Sequence, residues 1–377
     1  MEFIINKSDL GYGVGLVERI VSTRSTLPII GNVLFEATKS GLKLSANNLE
    51  MGIEVTLKAK VTKEGSILIP AKTLGGIVGK LPNEDIAFKL KEKGIISINY
   101  KKSNFNIHGL PSDEFPQLPK VKETKSISIE GKTLLEMIER VVFSASSSED
   151  KYVLNGILFE TGKSGQDGST IRMIATDGYR LSKVGVKAEG ISDVVSVIVP
   201  SKTMAEAIKI ISNDDSETAK ISIGNDQISI KYKDTYLVSR LIQGQFPDYR
   251  QVIPKSTETK ITLDLNTLLP ALERASVIAS QSANIVKIEV KAGQLHIMAT
   301  APDVGSVDEI LEVETKGKEK GLVAFNVRLL ADALKVMDSE KVIIELGEAL
   351  SPGIIRPKTG MDFIYIVMPI RTQEVAA

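Results

Sequence analysis

The chain has 377 residues, 42% of them apolar and 25% charged, with 47 basic side chains balanced by 47 acidic ones. That length predicts two or three domains of about 100–200 residues, the composition excludes a disordered chain, and the charge balance means that any surface facing nucleic acid is local. With no cysteine and only His108 and His296 as histidines, disulfides, thiolate sites and Cys nucleophiles are excluded, and neither a multi-histidine metal centre nor a Ser-His-Asp triad has much to draw on.

Met1 to Asn6 carries an acid and too short an apolar run for a signal peptide. Phe363 to Met368, the longest apolar run, is far below the roughly 20 residues that span a bilayer. The expectation is a soluble, cytoplasmic protein. A first helix holds Leu16-Val17-Glu18-Arg19, and strands follow at Gly31 to Glu36 and Leu42 to Asn47. Ile69-Pro70-Ala71-Lys72-Thr73-Leu74 then turns a strand into a second helix.

The same elements return twice more. Met137-Ile138-Glu139-Arg140 and Ala271-Leu272-Glu273-Arg274 repeat the first helix, with Leu134, Leu135, Ile138, Val141 and Val142 on one apolar face. Asn155 to Glu160 and Ile285 to Glu289 repeat the next strand. Ile171 to Thr176 and Leu295 to Thr300 repeat the alternating one, so Lys43, Arg172 and His296 share a face. Val199-Pro200-Ser201-Lys202-Thr203-Met204 and Phe325 to Leu330 repeat the strand-to-helix join. The period, roughly 130 residues, exceeds the 20–50 of a solenoid repeat, so three copies of one α+β domain are expected. Proline-bearing polar stretches at Phe115 to Pro119 and Phe246 to Pro254 place the domains at 1–121, 122–254 and 255–377.

Two glycine-rich segments are decoys. Gly75 to Leu81 is one residue short of a phosphate loop, ends in Leu81 where Ser or Thr would hold Mg²⁺, and aligns inside a helix. Gly11-Tyr12-Gly13-Val14-Gly15 has Leu16 at the third glycine position of a dinucleotide fingerprint. His296 on its alternating strand reads as structural.

One charge pattern recurs. In each second helix, basic residues stand about two turns apart: Lys72 and Lys80, Lys202 and Lys209, Arg328 and Lys335. Lys72, Lys202 and Arg328 sit near helix starts, where the dipole disfavours cations. A solvated face explains one such helix. Threefold recurrence admits a second explanation, a phosphate-facing surface that ignores sequence.

Taken with Thr26-Leu27-Pro28-Ile29-Ile30-Gly31-Asn32, Leu154-Asn155-Gly156, Ala175-Thr176-Asp177-Gly178-Tyr179-Arg180-Leu181, Phe246-Pro247-Asp248-Tyr249-Arg250 and Val367-Met368-Pro369-Ile370-Arg371, the repeat resembles the beta subunit of bacterial DNA polymerase III over the whole chain. The resemblance implies a sliding clamp that gives the replicative polymerase its processivity. Two chains would join head to tail into a six-domain ring, with helices lining a hole for duplex DNA. Arg24 and the six basic helix residues would face the DNA. Phe105, Val277 and Ile278 match dimer-interface positions. No cofactor, metal or catalytic residue is implied.

The resemblance also places a docking groove between the second and third domains, at Leu154, Thr176, Gly178, Tyr179, Arg180, Leu181, Pro247, Val252, Ile366 and Met368. The polymerase catalytic subunit, the clamp loader and repair proteins would insert short peptides carrying a glutamine and a Leu-Phe-like pair. Its apolar side chains suit an adaptable pocket, and Arg180 would supply a polar edge. From residue type alone, Leu154, Leu181 and Met368 read as ordinary core. Tyr179 and Gln251 replace a histidine and an arginine of other members, and Thr372 to Ala377 extends the usual ending. Two alternatives compete: a structural repeat protein without DNA, and an enzyme centred on Thr176 to Arg180, which would lack a histidine base.

Overall fold

The structure, a computed structural model, describes residues 1–21, 27–122, 125–163, 169–188, 194–212, 217–348 and 350–372. The first repeat runs β1 (Glu2–Asn6), α1 (Lys7–Ile20), β2 (Asn32–Thr38), β3 (Gly41–Asn47), β4 (Met51–Leu57), β5 (Lys60–Lys63), β6 (Gly65–Pro70), α2 (Ala71–Val78), β7 (Asp85–Leu90), β8 (Ile95–Tyr100) and β9 (Ser103–His108). The second runs β10 (Lys125–Glu130), α3 (Gly131–Val142), β11 (Gly156–Lys163), β12 (Ser169–Thr176), β13 (Arg180–Lys187), β14 (Val195–Pro200), α4 (Ser201–Ile210), β15 (Thr218–Ile223), β16 (Gln227–Tyr232) and β17 (Thr235–Arg240). The third runs β18 (Thr259–Asp264), α5 (Leu265–Ala279), β19 (Ile285–Lys291), β20 (Gln294–Ala301), β21 (Gly305–Glu312), β22 (Glu314–Gly317), β23 (Lys320–Asn326), α6 (Val327–Lys335), β24 (Lys341–Leu346), β25 (Gly353–Pro357) and β26 (Asp362–Val367). Each repeat thus holds two helices among short strands.

The chain divides into two compact units. The first contains Met1–Leu135 and Thr203–Leu241, and the second Glu136–Lys202 and Ile242–Ala377. In the first unit one sheet has the order β5-β1-β7-β8-β9, and a larger one β10-β15-β16-β17-β4-β3-β2-β6. In the second the orders are β14-β11-β12-β13-β26-β25-β24-β18-β22 and β21-β20-β19-β23. Each large sheet is therefore two half-sheets from successive repeats. β17 joins β4 with Leu237 opposite Ile53, and β26 joins β13 with Tyr365 opposite Ser182, both antiparallel.

The core of the first unit centres on Phe3, Phe35 and Phe88, all fully buried. The Phe3 and Phe88 rings stack with centroids 4.8 Å apart, and Phe35 lies 6.1 Å from Phe88. Helix α1 adds Leu10, Val14, Val17 and Ile20, the inward face of a 3.6-residue repeat. Its start is capped by Asn6, whose side chain accepts from the Ser8 amide at 3.0 Å. In the second unit, α5 and α6 bring Leu268, Leu272, Leu330 and Leu334 against Phe325 and Val367.

One sequence expectation fails here. Helix α2 ends at Val78 and is capped by Gly79, so Lys80 lies in the following turn and not on the helix face. Gly75, Gly76 and Gly79 are poor helix formers, and Pro82 bars continuation.

Replacing Phe88 with alanine empties the centre of the three-ring stack. The expected cost is about 3–5 kcal/mol, read as a lower urea midpoint at unchanged slope.

Candidate partner-binding groove

The tip of the β12–β13 hairpin in the second unit is held by a set of polar contacts. Asp177 Oδ1 accepts from the backbone amides of Tyr179 and Arg180 at 2.9 and 3.0 Å. The Thr176 hydroxyl donates to the Arg180 carbonyl at 2.6 Å and accepts from the Gly178 amide at 3.1 Å. These bonds force Gly178 to φ +93°, a conformation that glycine adopts without a Cβ penalty. Lys151 Nζ donates to the Asp177 carbonyl at 2.8 Å and lies 5.1 Å from the centre of the Tyr179 ring. The tyrosine is held in this way although 65% of it is exposed.

Below the hairpin lies an apolar floor. Leu158, Ile174, Leu181, Ile198, Ile242, Phe246, Tyr249 and Ile366 form one buried cluster, with Val153, Leu154, Ile253 and Ile364 packed against it. Leu181 and Ile366 face each other across the β13–β26 pairing. Just past β26, the Met368 amide donates to the Tyr179 carbonyl at 2.9 Å, which ties the half-buried methionine to the hairpin tip. Pro247 and Val252 are exposed on either side of buried Tyr249. The Tyr249 hydroxyl donates to Glu160 Oε2 at 3.0 Å, and burial pushes its pKa up.

All ten expected groove residues thus lie on the hairpin, the floor or the segments flanking them. Of Leu154, Leu181 and Met368, expected as core from residue type, only Leu181 is buried, at 3% exposed, and Ile366 beside it is 1% exposed. Leu154 and Met368 are only half-buried and can touch a ligand. Arg180 is a correction. Its side chain is only 12% exposed, so it is no open polar edge. Its Nε donates to Asp177 Oδ2 at 3.0 Å, one terminal nitrogen to Asp332 Oδ2 at 2.8 Å, and the other to the Phe143 carbonyl at 2.7 Å. Although burial acts to lower the Arg180 pKa, the carboxylates of Asp332 and Asp177 leave it above the ordinary arginine value. Both carboxylate oxygens of Asp177 are engaged in these bonds. Sequence reasoning missed Lys151, because a lone lysine in a polar stretch carries no signal of its contact with Tyr179.

Lys72, Lys202 and Arg328 are each the second residue of their helix and are exposed, as expected, as are Lys209 and Lys335. Lys335 Nζ lies 3.2 Å from Glu273 Oε1. Arg24 lies outside the described residues. Phe105 on β9 is 38% exposed and Val277 on α5 is 65% exposed, while Ile278 is half-buried.

Three family models cover the chain: the DNA polymerase III beta subunit N-terminal domain over residues 1–119, its central domain over 128–248 and its C-terminal domain over 250–371. The beta sliding clamp of Synechocystis sp. is 34% identical over 394 residues, covering 98% of this chain and 99% of that one. The DNA polymerase sliding clamp of Bacillus subtilis superposes with a TM-score of 0.91 at 28% identity, covering 99% of both chains. A sliding clamp from Pseudomonas aeruginosa, solved bound to griselimycin, gives 0.91 at 28%, covering 99% and 100%. The chain belongs to the DNA polymerase III beta subunit family, the beta sliding clamps.

Tyr179 and Arg180 are adjacent but should respond in opposite ways. Tyr179→Ala is expected to leave stability within about 0.5 kcal/mol. Arg180→Ala, which strands Asp177 and the Phe143 carbonyl, should cost about 2–3 kcal/mol after allowance for the exposure of Asp332. Urea unfolding of both variants checks this.

Proposed function

We propose that two copies of this chain close a ring around duplex DNA and tether the replicative polymerase to it, without a catalytic site of their own. The three domains are 1–121, 122–254 and 255–377, and the ring has six. It works in the cytoplasm, where replication takes place.

One observation carries the ring. Successive repeats are joined by edge strands, β4 with β17 and β13 with β26. The equivalent strand of the third repeat is β21, and the equivalent strand of the first is β9. Among the described residues, both lie at free sheet edges. A free edge is a row of unpaired amides and carbonyls, and pairing β21 of one chain with β9 of the next completes a third sheet of the same kind.

The register follows from the repeat. Phe105, Leu237 and Tyr365 are equivalent through their partners Ile98, Ile230 and Ile355. Ile53, Ser182 and Val307 are equivalent through Ala46, Ala175 and Ala299. Since Leu237 faces Ile53 and Tyr365 faces Ser182, Phe105 should face the partner's Val307. Exposed Val277 adds apolar surface to this interface, and Ile278 backs it.

Lys72, Lys202, Lys209, Arg328 and Lys335 face the DNA, with Lys80 in the turn after its helix, and Arg24, outside the described residues, is assigned to the same role by the family resemblance alone. Cations at the second position of three helices oppose the helix dipole, which fits a surface selected for phosphate and not for helix stability. Contacts of this kind hold the backbone and ignore base edges, as sliding requires. The groove of the second unit docks the polymerase catalytic subunit, the clamp loader and repair proteins through short peptides with a glutamine and a Leu-Phe-like pair. The griselimycin-bound relative supports a ligand-binding pocket in this family.

The ring is tested by cross-linking in a chain that has no native cysteine. Residues directly opposite across antiparallel strands have Cα atoms about 4.5–5.5 Å apart, within disulfide reach. The Phe105→Cys, Val307→Cys chain should oxidise to a covalent dimer on a non-reducing gel, while Phe105→Cys with Glu312→Cys should not. Oxidised after loading, it should stay on closed circular DNA in high salt and slide off linear DNA. A monomer band under all conditions would overturn the assignment.

The groove is tested by titrating a peptide with a glutamine and a Leu-Phe pair. A Kd on the order of micromolar is expected, about −8 kcal/mol. Leu154→Ala and Met368→Ala should each weaken it by roughly 5–30-fold with melting and dimerisation unchanged. If these variants bind like the wild type, the groove is elsewhere.

A further inference from the structure

The β3–β4 hairpin of the first unit is built like the β12–β13 hairpin of the second. Asn48 Oδ1 accepts from the amides of Glu50 and Met51 at 3.1 and 2.8 Å, as Asp177 does from Tyr179 and Arg180. Leu49 takes the place of Gly178 and has φ +74°. The Arg240 amide donates to the Glu50 carbonyl at 2.9 Å, as Met368 does to Tyr179 at the same distance. Beneath it, Leu34, Leu68 and Phe115 with Ile29 match Leu158, Ile198 and Phe246 with Val153.

The linings have diverged. Gly52 stands for Leu181, Ser45 for Ile174 and Arg240 for Met368. The chain's own Leu118 fills the apolar slot left by Gly52, so closely that a Cβ on Gly52 would lie 2.1 Å from Leu118 Cδ2. What stays open is a cavity of about 350 Å³ in which Glu50, Gln117, Gln227 and Arg240 stand among apolar side chains such as Leu49 and Pro116. The Arg240 side chain is exposed and makes no ion pair among the described residues. Leu49, 47% exposed, is held in the left-handed region by the Asn47 and Asn48 side-chain oxygens, which accept from the amides of Leu49, Glu50 and Met51.

We propose that this cavity is a second peptide-docking site, which takes an extended polar segment with one carboxylate placed on Arg240. The proposal rests on the docking reading of the second unit's groove, of which this is the internal duplicate. A filled apolar slot refuses the Leu-Phe anchor, so the two sites select different sequences. The side-chain amides of Gln117 and Gln227 match a polar backbone and side chains. Glu50, whose carbonyl accepts from the Arg240 amide, disfavours a second acid.

The probe is a fluorescent Ac-Ser-Gln-Ser-Asp-Gln-Ser-NH₂ peptide and its Asp-to-Lys counterpart, added to the full chain carrying Leu154→Ala and Met368→Ala. The acidic peptide should bind with a Kd on the order of 100 µM, one per chain, and the lysine peptide at least tenfold more weakly. Arg240→Glu should reverse that preference; Arg240 is bonded through its backbone, to the Glu50 carbonyl and the Ser239 hydroxyl, which the substitution keeps, so the fold is not at risk. In the wild type, the acidic peptide should slow amide exchange over 47–52 and 238–240 and leave 176–181 unchanged. Equal binding of the two peptides, no effect of Arg240→Glu, or protection confined to 176–181 would overturn the proposal. The Leu-Phe peptide, run in parallel on the wild type, reports the other groove separately.

Discussion

Backbone pairing at sheet edges is the constraint on which the rest depends. A β-strand with one side open leaves amides and carbonyls unpaired, and folded proteins cover such edges or pair them. In this chain the last strand of one repeat covers the inner edge of the repeat before it, as β17 does for β4 and β26 for β13. Two consequences follow. The two large sheets become continuous across repeats, and the last strand brings its own tail to the tip of its neighbour's hairpin. Met368 reaches Tyr179 only because β26 has already paired with β13. The groove is therefore a product of the join, not a separate invention.

Within the groove, burial separates two jobs. Leu181, Ile366 and Tyr249 are closed in the core and set the floor. Leu154 and Met368 are half-exposed and can gain contacts from a ligand. Arg180 belongs with the floor. It ties β13 to α6 through Asp332 and to the end of α3 through Phe143. A planar guanidinium with five donors suits this task, and lysine could not satisfy three acceptors in one plane.

Much of the fold was legible, because threefold repetition averages away local ambiguity. One Glu-Arg helix means little, but three in the same order define a domain. The second-position cations were legible for the same reason. The position of Lys80 was not, since helix ends depend on single residues such as Gly79. Pro270 marks the opposite limit: a residue that usually breaks helices sits inside α5, where tertiary packing overrides its cost. The burial of Arg180 was also hidden, because its partner Asp332 is 152 residues away and no local pattern links them. Lys151 was missed on similar grounds.

The free edges of β9 and β21 carry a thermodynamic asymmetry. The joins β4–β17 and β13–β26 form within one chain, where the linker sets an effective concentration in the millimolar range at about any dilution. A join between chains has no such help and weakens as protein becomes scarce. In the proposed ring, three chemically similar seams would therefore differ in strength by mass action alone. Dilution acts on only one kind of seam, so a protein that opens such a ring need not recognise a weaker sequence at the place where it parts.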